Sequence, residues 1–268
     1  MNNEQILELI QKTAQDKTIS LHLFNQNLTT LPPTLFELSH LEELGLSGNQ
    51  LTTLPPELAK LSQLKVLYLS HNQLTKLPKV ICRLPQLKFL YLSHNQLTTL
   101  PSQIARLSEL EALYVNGNKL TVLPSTISKL AELRVLILSD NQLKILPHNI
   151  KKLTHLEMIY LNDNRLTTLP PTICELSRLK RLFLSNNQLT RLPTECYKLS
   201  RLEKLTIFEN PLSLEGEWFK LVEQPEKIIN YFIQKELKDG FLKEKNYNII
   251  LSVVWWLVII MAVLIMLP

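Results

Sequence analysis

Glycine is scarce in this chain, with five residues among 268, and cysteine is scarcer still, with three. The few glycines exclude a nucleotide-binding phosphate loop, because none is followed by the Lys-Ser or Lys-Thr pair that ends such a loop. No hydrolase, kinase or zinc-protease motif is present either. We therefore expect no enzymatic activity, no cofactor and no small-molecule substrate.

Neither sign of charge dominates the sequence. The formal net charge is +5, and the basic residues are interspersed with acidic ones along the chain. Proteins that bind nucleic acid usually concentrate basic residues on one face. We interpret this charge pattern as serving solubility and expect no nucleic-acid partner.

A leucine pattern recurs every 23 residues through most of the chain. With small variations, the pattern L-x-x-L-x-L-x-x-N-x-L begins at eight leucines from Leu41 to Leu202, and a degenerate copy covers residues 18–40. A unit this short cannot bury its own apolar face and must stack on its neighbours. We number each copy from its first leucine. Alternation around positions 4 and 6 predicts a short strand, and the Leu-Pro step after it predicts a helical or 3₁₀ turn on the opposite side.

Position 9 of every complete copy is asparagine, whose side-chain amide can both donate and accept hydrogen bonds. We expect these amides to satisfy backbone groups where the chain leaves each strand, and to form a ladder through the stack. The residues are Asn49, Asn72, Asn95, Asn118, Asn141, Asn164, Asn187 and Asn210.

These repeats resemble the 23-residue intracellular class of leucine-rich repeats, found in Ras-suppressor-type proteins, plant intracellular Ras-group proteins and the repeat arm of bacterial Roco proteins. The resemblance covers residues 18–212. It implies an α/β solenoid, a horseshoe with a parallel concave sheet and helical caps. We expect an N-terminal capping helix in 1–17, the solenoid in 18–215, a helical cap in 216–237, a basic linker in 238–248 and a transmembrane helix in 249–267.

Positions 3 and 5 face the open side of the predicted sheet, and in the middle copies they are aromatic or aliphatic. A charged column at position 2 borders them: Lys65, Lys88, Glu111, Arg134, Glu157 and Lys180. Exposed apolar surface with a polar rim is typical of protein recognition. We predict that these residues bind a protein partner and that the four rings of Phe89, Tyr91, Tyr114 and Tyr160 are solvent-exposed. The predicted binding residues are Val66, Tyr68, Phe89, Tyr91, Tyr114, Val135, Ile137, Met158, Tyr160 and Phe183.

An alternative interpretation of this apolar surface remains open. Like residues on adjacent strands stack on one another, and such stacking stabilises a sheet without any partner. In that case the chain is a non-catalytic structural subunit of a membrane complex, assembled through its transmembrane helix.

Histidines and cysteines also recur in register. His71 and His94 occupy the same position of adjacent copies, about 5 Å apart, but no third ligand converges on them, so we expect no metal site.

Cys82 and Cys174 lie four copies apart, roughly 20 Å or more, too far for a disulfide. Cys196 takes an apolar core position. This cysteine usage favours a reducing, intracellular compartment.

Residues 249–267 contain Ser252 as their only polar side chain. As a helix they reach roughly 28 Å, close to the thickness of a bilayer's hydrocarbon core. Lysines precede this segment and none follows it, so the positive-inside rule leaves the repeats in the cytoplasm. The sequence thus predicts a single-pass, tail-anchored scaffold or sensor that recruits a protein to a membrane. The family resemblance suggests a small GTPase or another signalling protein as its partner.

Overall fold

The computed structural model describes residues 1–212, which form a solenoid of stacked turns. Its sheet has nine parallel strands in sequence order, and each strand pairs with the next at an offset of 23 residues, as Leu67 does with Leu90. The strands are β1 (Ser20–His22), β2 (Glu43–Gly45), β3 (Val66–Tyr68), β4 (Phe89–Tyr91), β5 (Ala112–Tyr114), β6 (Val135–Ile137), β7 (Met158–Tyr160), β8 (Arg181–Phe183) and β9 (Lys204–Thr206). The parallel sheet predicted from the repeat is confirmed.

Short 3₁₀ helices form the opposite side of the solenoid. In most turns they follow the Leu-Pro step, where proline fixes φ and ends the extended segment. The helices are η1 (Pro33–Glu37), η2 (Pro56–Lys60), η3 (Ile81–Arg83), η4 (Ser102–Arg106), η5 (Ser125–Lys129), η6 (His148–Lys152), η7 (Pro171–Glu175) and η8 (Thr194–Lys198). A sheet on one side and 3₁₀ helices on the other enclose a single core.

Leucine fills that core from end to end of the described solenoid. In the fourth turn, for example, Leu87, Leu90, Leu92 and Leu97 are each fully buried. Each turn contributes only a few such side chains, so they are removed from water by the turns above and below. Burying one leucine side chain stabilises the fold by roughly 1.5–3 kcal/mol. Each turn of the solenoid, which we also call a rung, adds such contributions.

The position-9 asparagines join adjacent turns through the backbone. The Asn95 Nδ2 donates to the carbonyl oxygens of Leu69 at 2.9 Å and Leu92 at 3.0 Å, and its Oδ1 accepts from the Leu74 amide at 3.0 Å. The other position-9 asparagines repeat this arrangement. The amides bond to main-chain groups rather than to one another, so the ladder consists of bridges between rungs.

Position 8 has a left-handed backbone in every turn. The φ angles there run from 51° to 72°, and the residues are Asn25, Gly48, His71, His94, Gly117, Asp140, Asp163, Asn186 and Glu209. Glycine adopts this conformation freely, and Asn, Asp and His are enriched among the other residues that do. Backbone geometry therefore explains most of the composition of this column, which the sequence pattern alone leaves unexplained.

The helix α1 (Asn3–Asp16) closes the N-terminal end of the solenoid. A capping box begins it: the Asn2 side chain accepts from the Gln5 amide at 2.8 Å, and the Gln5 side chain accepts from the Asn2 amide at 2.9 Å. Ile6 and Ile10 are buried against the first turn. The helix covers apolar side chains of the first turn that have no preceding turn to contact.

All three cysteines are buried and unbridged. Burial raises the pKa of the Cys82 thiol to about 11. Hydrogen bonding to Cys196 and burial raise the pKa of Cys174. Cys174 therefore interacts with Cys196 on the adjacent turn. The two cysteines stand at different repeat positions, so a comparison of equal positions, such as Cys82 with Cys174, does not reveal this interaction.

Three predicted segments, the C-terminal cap (216–237), the linker (238–248) and the transmembrane helix (249–267), lie outside the described residues. Among residues 1–212, no helix has the length and apolar character needed to cross a bilayer.

We expect Asn95→Ala to lower the free energy of unfolding by about 2 kcal/mol, because it leaves the buried Leu74 amide without a partner, which costs roughly 1–3 kcal/mol. The carbonyl oxygens of Leu69 and Leu92 each lose one of two asparagine donors and keep the other. The measurement is urea unfolding of the full-length protein in mild detergent, followed by circular dichroism. Gln96→Ala, at the adjacent exposed position, is the control and should change stability by less than about 0.5 kcal/mol. Equal effects of the two substitutions would contradict the bridging role of the asparagines.

Candidate protein-binding surface

The structure places the ten predicted binding residues side by side on the strands β3 to β8. Each is partly exposed, and their neighbours across the sheet follow the strand register, so that Tyr68, Tyr91 and Tyr114 are aligned, as are Val66 and Phe89. We call this set the concave strip: Val66, Tyr68, Phe89, Tyr91, Tyr114, Val135, Ile137, Met158, Tyr160 and Phe183. It is a continuous apolar surface across six rungs.

Aromatic rings in the concave strip stack face to face. The ring centroids of Tyr68 and Tyr91 are 4.6 Å apart, those of Tyr91 and Tyr114 are 4.5 Å apart, and those of Tyr160 and Phe183 are 4.2 Å apart. Ile137 separates the two stacks. The rings therefore cover much of each other's faces and present mainly their edges to solvent.

The structure corrects the expectation that the four rings are solvent-exposed: Phe89, Tyr91, Tyr114 and Tyr160 are only partly exposed. For the three tyrosines, stacking covers the faces of the rings. Sequence register predicts which rings align, but it does not give their tilt or the area that each covers. For Tyr91, burial and the adjacent phenols Tyr114 and Tyr68 raise the pKa to about 12.

The charged side chains at position 2, beside the concave strip, form ion pairs with one another. The ammonium of Lys65 contacts Glu42 at 2.7 Å, and that of Lys88 contacts Glu111 at 2.9 Å. Hydrogen bonding to Glu111 raises the pKa of Lys88. The mixed signs of this column are visible in the sequence, but the pairing of neighbours on successive turns is not.

The same pairing continues on the later rungs. The Glu157 carboxylate lies 2.7 Å from Lys180 and 3.4 Å from Arg134, and its hydrogen bond to Lys180 lowers its pKa. Pairs this exposed contribute little to stability. Their consequence is that the column presents no strong field of one sign to a partner.

Cations without an acidic partner lie at the C-terminal end of the described strip, where Arg181 donates to the Met158 sulfur at 3.9 Å. Within residues 1–212 no ion pair involves Arg181 or Lys204, and the Lys204 ammonium lies 5.5 Å from the centre of the Phe183 ring. At the opposite end, Glu43 accepts from Ser20 at 3.2 Å and contacts His22 at 3.1 Å. The surface thus runs from a paired acid, through apolar rungs, to unpaired cations.

His71 and His94 stack on each other, with ring centroids 4.4 Å apart and an interplanar angle of 18°. Parallel stacked rings do not point two nitrogens at one ion. Within the described part of the chain, no group of three His, Cys, Asp or Glu side chains is placed to hold a metal ion.

Family models match the repeats over nearly the whole described region. The model described as "Leucine-rich repeat region" matches residues 126–216, "Leucine rich repeat" matches residues 19–74 and 57–97, and "Leucine Rich repeats (2 copies)" matches residues 85–131. The chain contains a leucine-rich repeat domain. No curated protein sequence matches it significantly.

Solved leucine-rich repeat structures share this fold. A leucine-rich repeat protein of Leptospira interrogans is 35% identical, with a TM-score of 0.63 over 77% of this chain and 59% of that protein. The ectodomain of the membrane receptor kinase GASSHO1/SCHENGEN3 from Arabidopsis thaliana, in complex with CASPARIAN STRIP INTEGRITY FACTOR 2, is 34% identical, with a TM-score of 0.61 over 68% of this chain and 23% of the receptor.

A plant peptide hormone receptor, RGFR1 in complex with RGF2, is 29% identical, with a TM-score of 0.55 over 68% of this chain and 34% of that receptor. This chain therefore spans less than two thirds of the length of each protein named. Both receptors were solved with a bound partner, in keeping with the use of leucine-rich repeats as protein-binding scaffolds.

The partly buried, stacked position of Tyr91 gives a prediction about its titration. The folded-state pKa of about 12 lies above the ordinary value of 10.0, so folding favours the neutral phenol. This contribution to stability is complete below about pH 10 and is lost as the pH rises through 12. The difference in phenolate absorbance between the wild-type protein and Tyr91→Phe should therefore have its midpoint near pH 12. In urea-unfolded protein the midpoint should return to about 10; a midpoint near 10 in the folded protein would contradict the stacked arrangement.

Proposed function

We propose that this protein is a membrane-anchored scaffold that recruits a regulatory or signalling protein through the concave strip. The observation that supports it is the strip itself, a continuous and partly exposed apolar surface on six rungs of a rigid sheet. Contiguous apolar patches on a protein surface often mark interaction sites.

The arrangement of the strip suits a protein partner. Tyrosine and phenylalanine provide large contact areas with few rotatable bonds, and stacking already restricts the rings of Tyr68, Tyr91 and Tyr114 before a partner arrives. Less side-chain freedom is therefore lost on binding. The self-paired charges beside the strip do not repel a partner of either sign.

Peptide and protein partners bound to related repeats add support at the level of the family. The resemblance to Ras-group repeats keeps a small GTPase as one proposed partner. The unpaired cations Arg181 and Lys204 favour a partner segment that has apolar side chains over the middle rungs and a negative charge over the last two.

Membrane anchoring is the second part of the proposal, and it rests on the sequence of residues 249–267. A span of this length and composition is sufficient to cross a bilayer. The preceding lysines orient the repeats towards the cytoplasm under the positive-inside rule. The strip would then meet its partner close to the membrane surface.

One observation favours the alternative of a structural subunit. The stacked rings contact each other closely, and cross-strand aromatic pairs stabilise a sheet by roughly 0.2–1 kcal/mol each. A test therefore needs a strip residue outside the stacks. Phe89 is such a residue: it is partly exposed, and its strand neighbours are Val66 and Ala112.

We expect Phe89→Ala to weaken partner capture about thirtyfold, since an aromatic residue near the centre of an interface is commonly worth about 2 kcal/mol. Capture is measured by quantitative co-purification of tagged full-length protein in mild detergent, alongside its unfolding temperature. Ile145→Ala is the matched control, because Ile145 is apolar and 55% exposed but lies outside the strip. If Phe89→Ala lowers the unfolding temperature and leaves capture unchanged, the strip is packing and the structural alternative holds.

A further inference from the structure

Nine of the 29 lysines and arginines of this chain lie on one side of the folded solenoid, in five successive turns. Five successive segments, each running from the turn after position 11 through the 3₁₀ helix, cover residues 52–60, 75–83, 98–106, 121–129 and 144–152. We call their surface the basic helical face. Together they contain nine lysines and arginines and a single glutamate, a net charge of +8, so the remainder of a chain with net charge +5 carries −3. Basic and acidic residues that are interspersed along the sequence are therefore unevenly distributed over the folded surface.

All nine cations of the basic helical face are exposed. Among the residues that the structure describes, Lys151 pairs with Glu175 at 3.1 Å, and no ion pair involves the other eight. The full set is Lys60, Lys76, Lys79, Arg83, Arg106, Lys129, Lys144, Lys151 and Lys152. This contrasts with the concave side, where position-2 lysines are paired with glutamates on neighbouring rungs.

Position 20 provides the centre of the face. Lys60, Arg83, Arg106, Lys129 and Lys152 stand at this position in five consecutive turns, so the stacking of the 3₁₀ helices aligns them in a row. Such a row is complementary to an extended anionic surface.

The chemistry of the face favours a lipid surface over other anions. Single-stranded nucleic acid is usually bound by cations together with aromatic rings on which the bases stack, and these five segments contain no Phe, Tyr or Trp. The cations are spread over five turns rather than converging on one point, as capture of a short acidic peptide would require. A bilayer rich in anionic lipid attracts each nearby lysine or arginine without any specific pocket.

We propose that the basic helical face lies against the anionic surface of the membrane, leaving the concave strip open to its partner. This inference rests on the proposed membrane anchoring. The anchor holds the repeat domain at a high effective concentration next to the bilayer, so electrostatic contacts that are weak in free solution are enough to orient it.

The test compares lysine acylation in the full-length protein reconstituted into vesicles of phosphatidylcholine alone or of phosphatidylcholine with phosphatidylserine, with mass spectrometry as readout. The acylation rate of lysines in the basic helical face should be at least about threefold lower in the vesicles that contain phosphatidylserine. High salt should remove the difference, because it screens exposed charges. Lys12 in α1 and Lys119, which is exposed outside the basic helical face, serve as internal controls and should react equally in both vesicles.

The variant Arg83→Glu with Arg106→Glu keeps every lysine probe and should abolish the protection. Arg165→Glu with Arg178→Glu is the matched control, with the same charge change at exposed positions outside the face, and should retain it. Equal acylation in both lipids would overturn the inference, as would protection produced only by polyglutamate or single-stranded DNA. Flotation of the wild-type protein with phosphatidylcholine vesicles in high salt tests the anchor separately: failure to float contradicts the proposed anchoring and the inference together.

Discussion

The side-chain amide at position 9 holds each turn of this solenoid to the next, and the positions of all other side chains depend on that register. Asn95 illustrates the arrangement, with one amide bonded to main-chain groups of two adjacent turns. These bonds keep the strands at a constant offset of 23 residues. Side chains at equal repeat positions therefore form columns. The charge and polarity of the residues in a column set the charge and polarity of that part of the surface.

The columns have different consequences on the two sides of the molecule. On the sheet, the close spacing of strands brings rings into stacks and opposite charges into pairs, as in Tyr91 with Tyr114 and Lys88 with Glu111. On the side of the 3₁₀ helices, cations such as Arg83 and Arg106 follow one another without intervening acids. One scaffold thereby presents an apolar surface on one side and a basic surface on the other, which is the arrangement expected of a protein that contacts two different partners.

The period and its leucines were enough to predict the parallel sheet and the backbone role of the asparagines, because both follow from stacking identical units. Other features depend on geometry that a repeat pattern does not contain. The positive φ at position 8 explains why His71 and Asp140 share a column. The contact between Cys174 and Cys196 joins different repeat positions on adjacent turns. The basic helical face does not show in the linear order of charges, because it forms only when successive turns stack.

The central claim is that a protein partner binds the concave strip and not the opposite side of the solenoid. Site-specific photo-crosslinking in cells tests it most directly, with a photoreactive amino acid placed in turn at Ile137 on the strip and at Lys129 on the 3₁₀ side of the adjacent turn. If the strip is the binding surface, position 137 gives one discrete protein adduct and position 129 gives none of the same mass. Adducts of equal yield from both positions, or from position 129 alone, would contradict it.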